Sequence, residues 1–333
     1  MADRKSSAED LLISRHFAPL ATHPGALGLS DDAAFIKPPA GCDLVLQADA
    51  LVGGVHFFAD DAAHTIAAKS LRTNLSDLAA KGAKPLGFLL SLALPKDHGD
   101  DWLADFAKGL RDDAEHFACP LFGGDTVRSP DAIMVSVSIF GLVPTGTMVR
   151  RGGAKLGDIV FATGTIGDAA LGLRLRTNAQ ARERWRLSAA QHDHLAARFL
   201  VPQPRNALAE VVRTHANGSV DVSDGLIGDL TKLCRASGLT ATIEAAKVPL
   251  SDAARLALAA EPGLIEPILT GGDDFEVVCT VPPDRAPGFM AAAQAAGVAV
   301  TAIGRMIAGH GAPQVIGADG GSLTFTRGSF SHF

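Results

Sequence analysis

The chain has 333 residues, 47% of them hydrophobic and 20% charged, with a formal net charge of −6 and no tyrosine. That length exceeds what one hydrophobic core usually organises, and the composition is that of a globular rather than a disordered chain. The acidic balance speaks against a nucleic-acid partner, since no basic stripe could neutralise phosphates.

No run approaches the roughly 20 apolar residues of a membrane span. The start, Met1-Ala2-Asp3-Arg4-Lys5, is polar rather than a signal region. The expectation is therefore a cytoplasmic protein with no membrane partner. Along the chain, apolar runs that read as strands alternate with segments of helical period. Residues 43–47 form a short strand, 64–81 a long helix stopped by Gly82, and 86–94 a strand. A helix over 101–117 starts near Asp100 or Asp101, and 133–142 alternates with the period of two of a half-covered sheet. Its apolar face invites an isologous interface, so a homodimer is expected. The Gly-rich polar stretch 144–158 marks a domain boundary. Beyond it lie a strand at 159–163, a helix opening at 168–173, and helices at 187–200 and 205–214 separated by Pro202 and Pro204. A helix at 226–237 closed by Gly238, strands at 240–243, 275–281 and 298–303, and a helix at 285–296 complete the pattern. The fold class is α/β (α+β) in two domains, 1–148 and 149–333. Cys42, Cys119, Cys234 and Cys279 are far apart with no Cys-x-x-Cys pair, which excludes a zinc ribbon and makes them buried apolar residues.

Six acidic motifs set among small residues carry the functional signal. They are Leu29-Ser30-Asp31-Asp32, Gln47-Ala48-Asp49-Ala50, Asn74-Leu75-Ser76-Asp77, Gly123-Gly124-Asp125-Thr126, Asp221-Val222-Ser223-Asp224-Gly225 and Gly271-Gly272-Asp273-Asp274-Phe275-Glu276. Small neighbours let carboxylates from distant segments converge, and converged carboxylates repel one another unless a cation joins them. A hard, oxygen-seeking ion, Mg²⁺ above all, fits that need and usually shares its coordination with substrate phosphates. Any one motif is equally a turn or a helix cap. Together they favour a metal–phosphate site.

Gly123-Gly124-Asp125 reads as the end of a strand, where backbone N–H groups reach phosphate oxygens and Asp125 holds a metal. Lys69, Thr73 and Asp77 share one helical face, which on spacing alone is better explained as solvated, with Asp77 pairing Lys81. An extended 221–223 segment aims Asp221 and Ser223 to one side, while Ser223 or Asp224 reads equally well as the cap of the following helix. No P-loop, dinucleotide fingerprint, protein-kinase His-Arg-Asp, Gly-x-Ser-x-Gly or His-Glu-x-x-His element occurs. His192 and His194, two apart on a helix, read as surface residues.

Taken in order, these motifs resemble the thiamine-monophosphate kinases, members of the superfamily that includes aminoimidazole ribonucleotide synthetase. The most specific parts are Asp49-Ala50-Leu51-Val52-Gly53-Gly54-Val55-His56-Phe57, Asn74 to Ala83, Phe122 to Thr126, Val220 to Leu226, and Gly271 to Glu276. The resemblance implies phosphorylation of thiamine monophosphate to thiamine diphosphate, with ATP as co-substrate and several Mg²⁺ ions. It also implies an N-terminal domain that dimerises through its sheet, a C-terminal α/β domain, and sites in the cleft. By matching motifs, Asp32, Asp49, Asp77, Asp125, Asp221 and Asp224 are the implied metal ligands. Gly124, Asp125, Arg151 and Ser223 would hold ATP, and His56 and Asp273 would contact thiamine monophosphate. No residue is implied as a general base. The chain departs from the pattern at Ser30, where Gly is commoner, at Gln47-Ala48, which offer no hydroxyl, and at Asp273, where Glu is commoner. Arg327 or Phe330 stands where the family often places a stacking aromatic. The competing readings are another ATP-dependent enzyme of the superfamily, a cyclo-ligase or maturation dehydratase, and an inert ATP-binding module.

Overall fold

The computed structural model describes residues 11–96, 98–326 and 328–329. Arg327 and Phe330 lie outside the described residues. The chain divides into two compact units, Met1–Leu75 with Pro85–Gly146, and Ser76–Lys84 with Thr147–Phe333. Among the described residues no helix is long and apolar enough to cross a membrane.

Unit 1 is built from β1 (Cys42–Val52), α1 (Ala63–Ala80, whose last turn groups with unit 2), β2 (Lys84–Leu94), α2 (Asp100–His116), β3 (Leu121–Arg128) and β4 (Met134–Pro144). The strands form one sheet in the order β1-β4-β2-β3, with β1 antiparallel to β4 and β2 parallel to β3. Alternation along β4 buries Val135, Val137 and Ile139 completely. The other side of the sheet leaves Leu44, Leu46 and Met134 exposed, and Leu89 and Val127 of β2 and β3 are exposed as well.

Two expectations need correction here. The strand expected at 43–47 runs on to Val52, because its register with β4 continues from Cys42↔Pro144 to Val52↔Met134 and carries the polar Asp49 along. Gly123-Gly124-Asp125 does not end a strand but lies inside β3, paired with Leu89, Leu90 and Ser91. Gly124 is there for close approach: a Cβ would sit 1.8 Å from the Leu90 carbonyl oxygen.

Unit 2 contains β5 (Ile159–Thr163), α3 (Asp168–Thr177), α4 (Ala181–Arg184), α5 (Ala189–Leu200), α6 (Ala209–His215), β6 (Gly218–Val222), α7 (Leu226–Ser237), β7 (Thr240–Glu244), α8 (Asp252–Ala260), α9 (Ile265–Thr270), β8 (Glu276–Val281), α10 (Ala286–Ala295), β9 (Val300–Ile307), β10 (Gln314–Ile316) and β11 (Ser322–Leu323). Its sheet runs β11-β10-β7-β9-β5-β8-β6. Central β5 is antiparallel to both β8 and β9, and β10 is parallel to β7. Both faces of β5 are covered: Val160 and Ala162 enter one apolar core with Leu171 and Leu230, while Phe161 enters another with Val277 and Phe289. That explains why the strand reads as a continuous apolar run.

The helix expected at 187–200 begins at Ala189 because Ser188 caps it, its Oγ accepting from Gln191 N–H while the Gln191 side chain accepts from Ser188 N–H. Strand β6, Gly-Ser-Val-Asp-Val, lacks an apolar pattern, yet all five residues are buried by pairing with β8 and packing on both faces. Cys119, Cys234 and Cys279 are buried and unbridged, as their sequence context implied, whereas Cys42 is half-buried.

Candidate functional site

In unit 2 the chemistry gathers around Asp221 on β6. Its carboxyl is buried, and burial first, then the charges of Asp77 and Asp229, raise its pKa well above the ordinary carboxylate range. Ser76 Oγ donates to Asp221 Oδ2 at 3.1 Å. Lys81, one helical turn beyond Asp77, donates from Nζ to the Ser219 carbonyl at 2.8 Å. Burial lowers the Lys81 pKa, attraction to Asp221 opposes that, and the Arg151 charge pushes the same way as burial. The structure thus brings Asp77, Asp221, Lys81 and Arg151 within electrostatic reach of one another.

The segment after β6 is held by a second acid. Asp229 Oδ2, in the first turn of α7, accepts from the N–H groups of Ser223 and Asp224 at 3.0 and 2.8 Å. Lys232 binds both Asp229 and Asp224. Burial raises the Asp229 pKa against the pull of Lys232. The cap expectation for Ser223 or Asp224 is therefore corrected: α7 starts after Gly225, and neither side chain caps it. A residue inside the helix reaches back to the loop instead.

The last acidic motif docks onto this loop. Asp273 N–H donates to the Ser223 carbonyl at 2.9 Å and Phe275 N–H to the Val222 carbonyl at 2.8 Å. Gly272 is required by contact, since a Cβ would lie 2.5 Å from the Ser223 oxygen. Asp273 and Phe275 both adopt left-handed φ, 73° and 50°, a conformation unusual for side-chain-bearing residues. The motif's three acids then separate by function. Asp273 stays half-buried beside Ser223, whereas Asp274 and Glu276 turn inward and are fully buried. Asp274 accepts from Gly167 and Ala169 N–H at 2.7 and 3.2 Å, and burial nevertheless pushes its pKa up to about 8. Glu276 is clasped by Arg198, Arg205 and Thr163.

In unit 1, Asp49 N–H donates to Asn74 Oδ1 at 3.1 Å, tying β1 to α1. A tight turn after β1 lets Val52 N–H donate to His56 Nδ1 at 3.0 Å, so a neutral His56 ring carries its proton on Nε2. Lys69 Nζ donates to the His56 carbonyl at 2.9 Å. The helical face expected to be solvated is in fact covered: Lys69 and Thr73 are each 2% exposed, because α1 is buried almost all round. Register sets Asp49 opposite buried Val137 and Asp125 opposite exposed Ser91. Asp32, Gly124 and Asp125 are exposed, and Asp49 is half-buried.

Among the described residues no three His, Cys, Asp or Glu side chains already form a metal cage. The donors at Asp77 and Asp221 nevertheless suit Mg²⁺: they are hard oxygens, and burial together with their mutual repulsion raises the Asp221 pKa, a penalty on the charged form that a cation relieves. Mg²⁺ commonly takes one or two carboxylates and keeps water or phosphate on its other positions, so a complete protein cage is not needed. Sequence reading missed Ser76, Lys81, Asp229 and Lys232 as parts of this cluster. Lys81 had a signal, its four-residue spacing from Asp77. Asp229 had none, because the loop it holds is visible only once folded.

His194 is exposed, as expected, but its Nε2 also bonds the buried Asp168 carboxylate at 2.9 Å. His192 is half-buried and bonds Asp193.

The family described as AIR synthase related protein, N-terminal domain, matches residues 30–143, and the corresponding C-terminal domain family matches 155–316. The thiamine-monophosphate kinase of Caulobacter vibrioides is 40% identical over 303 residues, covering 90% of this chain and 84% of that protein. The crystal structure of thiamine-monophosphate kinase from Stenotrophomonas maltophilia superposes with a TM-score of 0.82 at 35% identity, over 97% of this chain and 99% of that one. AaThiL complexed with AMPPCP and TMP superposes with a TM-score of 0.77 at 29% identity, over 100% and 99%.

Proposed function

Since this chain belongs to the thiamine-monophosphate kinase family of AIR synthase related proteins, we propose that it transfers the γ-phosphoryl group of ATP to thiamine monophosphate, giving thiamine diphosphate and ADP. The relatives' activity and the AMPPCP and TMP bound to AaThiL support both substrates. The observation that carries the reading is the Asp77–Asp221 pair. Two neighbouring acids, one fully buried, are poorly tolerated in a merely structural role and suit a cation shared with phosphates.

The proposed metal ligands are Asp32, Asp49 and Asp125 of unit 1 and Asp77, Asp221 and Asp224 of unit 2. Several Mg²⁺ ions, when bound, neutralise phosphate charge. Gly124, Asp125, Arg151 and Ser223 hold ATP, with the Ser223 backbone fixed by Asp229 and Asp273. His56, held through Nδ1 and its carbonyl, presents its Nε2 proton to thiamine monophosphate. Asp273 contacts the same substrate.

The reaction is a direct in-line transfer. A phosphate oxygen of thiamine monophosphate bonds to the γ-phosphorus as the bond to the β–γ bridging oxygen breaks, and the electron pair leaves on ADP. A phosphomonoester with a second pKa of about 6 is mostly dianionic at neutral pH, so no base must remove a proton. Repulsion between the two anions is the obstacle, and Arg151 and Lys81 oppose it in unit 2. The exposed row Leu44, Leu46, Leu89, Val127 and Met134 supports a homodimer formed by unit 1.

The test is ATP consumption by the purified chain with Mg²⁺, with and without thiamine monophosphate. Turnover that needs both supports the kinase. Turnover indifferent to thiamine monophosphate favours another ATP-dependent reaction, and none at all favours an inert binding module.

A further inference from the structure

We propose that Lys232 is a positioning residue that sets the cation preference of the site. It occupies one oxygen of Asp224 and leaves the other as a single-oxygen ligand, an arrangement that suits Mg²⁺ and disfavours Ca²⁺. The inference rests on the reading of Asp224 as a metal ligand. It goes beyond that reading by giving a role to a cation that none of the six acidic motifs contains.

The arrangement runs from α7 back to the loop before it. Lys232 stands one turn after Asp229, and its Nζ donates to Asp224 Oδ2 and, at 2.7 Å, to Asp229 Oδ1. Asp229 is a fixed post. Its side chain is 1% exposed, and its Oδ2 accepts the Ser223 and Asp224 N–H groups. The ammonium is thus tied to an immobile acid on one side and grips Asp224 from a set direction on the other. Asp224 is more open, with its side chain 35% exposed. Among the described residues its Oδ1 has no hydrogen-bond partner, so one oxygen is engaged and one is free.

That asymmetry discriminates between the two common hard cations. Mg²⁺ demands a near-ideal octahedron with ligands at about 2.0–2.1 Å and keeps several waters, so one carboxylate oxygen is all it needs here. Ca²⁺ takes about six to eight oxygens at longer range and often binds a carboxylate through both. To give Ca²⁺ its second oxygen, Asp224 must release Oδ2 from Lys232. A charge-assisted hydrogen bond is then lost, and the ammonium is left beside a divalent ion. Mg²⁺ bound at Oδ1 leaves that bond in place.

The test is cation binding by the full chain without nucleotide. Bound Mn²⁺ is read from the loss of its free-ion electron paramagnetic resonance signal, and Mg²⁺ or Ca²⁺ is the competitor in separate arms. Lys232→Met removes the ammonium and keeps a good helix former at a site 38% exposed. Lys232→Gln takes its place if circular dichroism shows that the first variant does not fold. Losing one positive charge strengthens binding of both divalent ions alike, so the ratio of their displacement constants isolates the effect of the freed oxygen. The expected result is that Ca²⁺ gains more than Mg²⁺ and the preference for Mg²⁺ falls about tenfold. Asp224→Asn tests the underlying reading and should weaken Mn²⁺ binding. If it does and the ratio in the Lys232 variant stays at the wild-type value, only the role of Lys232 is overturned. If Asp224→Asn binds Mn²⁺ as the wild type does, Asp224 is not a metal ligand and both readings fall.

Discussion

Replacing Glu276 by Gln removes one negative charge from the interior of unit 2 while keeping the side chain's shape. The carboxylate is fully buried and accepts at both oxygens. Oε1 receives Arg198 Nη2 and Arg205 Nη2, and Oε2 receives Arg205 Nε and Thr163 Oγ1, the last two at 2.6 Å each. A glutamine has one acceptor oxygen, so whichever position takes its NH₂ sets donor against donor. Turning the amide only changes which pair of bonds is lost. Hydrogen bonds to charged groups contribute about 1.5–3 kcal/mol each, and removing one partner of a buried ion pair costs about 3–5 kcal/mol. These describe the same loss and are not summed, so the expected destabilisation is about 3–5 kcal/mol. At about 2–4 °C per kcal/mol for a unit of this size, the melting midpoint falls by roughly 10 °C. Urea unfolding at pH 7, followed by far-UV circular dichroism, measures the change directly. A loss below about 1 kcal/mol would mean that water or rearrangement replaces the carboxylate, and the structural assignment of this motif acid would fail.

Three further outcomes are expected. Asp77→Asn lowers thiamine-monophosphate-dependent turnover at least about 100-fold, yet leaves the melting midpoint unchanged or higher, because one of the charges repelling buried Asp221 is gone. Steady-state kinetics alongside thermal melts would expose the opposite pattern, a stability loss with turnover intact. His194→Gln should matter most near pH 5. The bond to Asp168 raises the His194 pKa, so that stabilisation is complete below the ordinary histidine value of 6.5 and fades as pH rises through the raised value. For Asp168, burial is outweighed by bonds from His194, Ser251 and Thr165, so its contribution holds above 3.8 and is lost as pH falls through the depressed value. Melting differences between wild type and variant at pH 5 and pH 9 check this, and a larger difference at pH 9 would reverse the sign. Among the cysteines, half-buried Cys42 should react with a thiol reagent in the native state well ahead of the others, since burial pushes Cys119 and Cys279 to about 12 and Cys234 to about 11. Counting thiols released over time, with peptide mapping, tests it.

What the sequence determined by itself was local or repeated. Period and punctuation gave α1 and its Gly82 stop, the alternating β4, and α7 with its Gly238 terminus, because these depend on neighbours a few residues away. Six acidic motifs likewise pointed to phosphate chemistry, since small residues beside carboxylates are a feature of the chain itself. Tertiary structure decided which acids are which. Asp273, Asp274 and Glu276 look alike in sequence, but left-handed backbone at Asp273 and Phe275 leaves the first beside Ser223, and the other two meet the helix α3 amides and the Arg198–Arg205 pair. β6 was illegible because its burial comes from β8 and two covering layers, not from its own Gly-Ser-Val-Asp-Val composition. Asp229 and Arg198 were equally silent. Their partners are backbone groups and carboxylates brought close only by folding, and a charge has no functional meaning in sequence until its surroundings fix how it is solvated and paired.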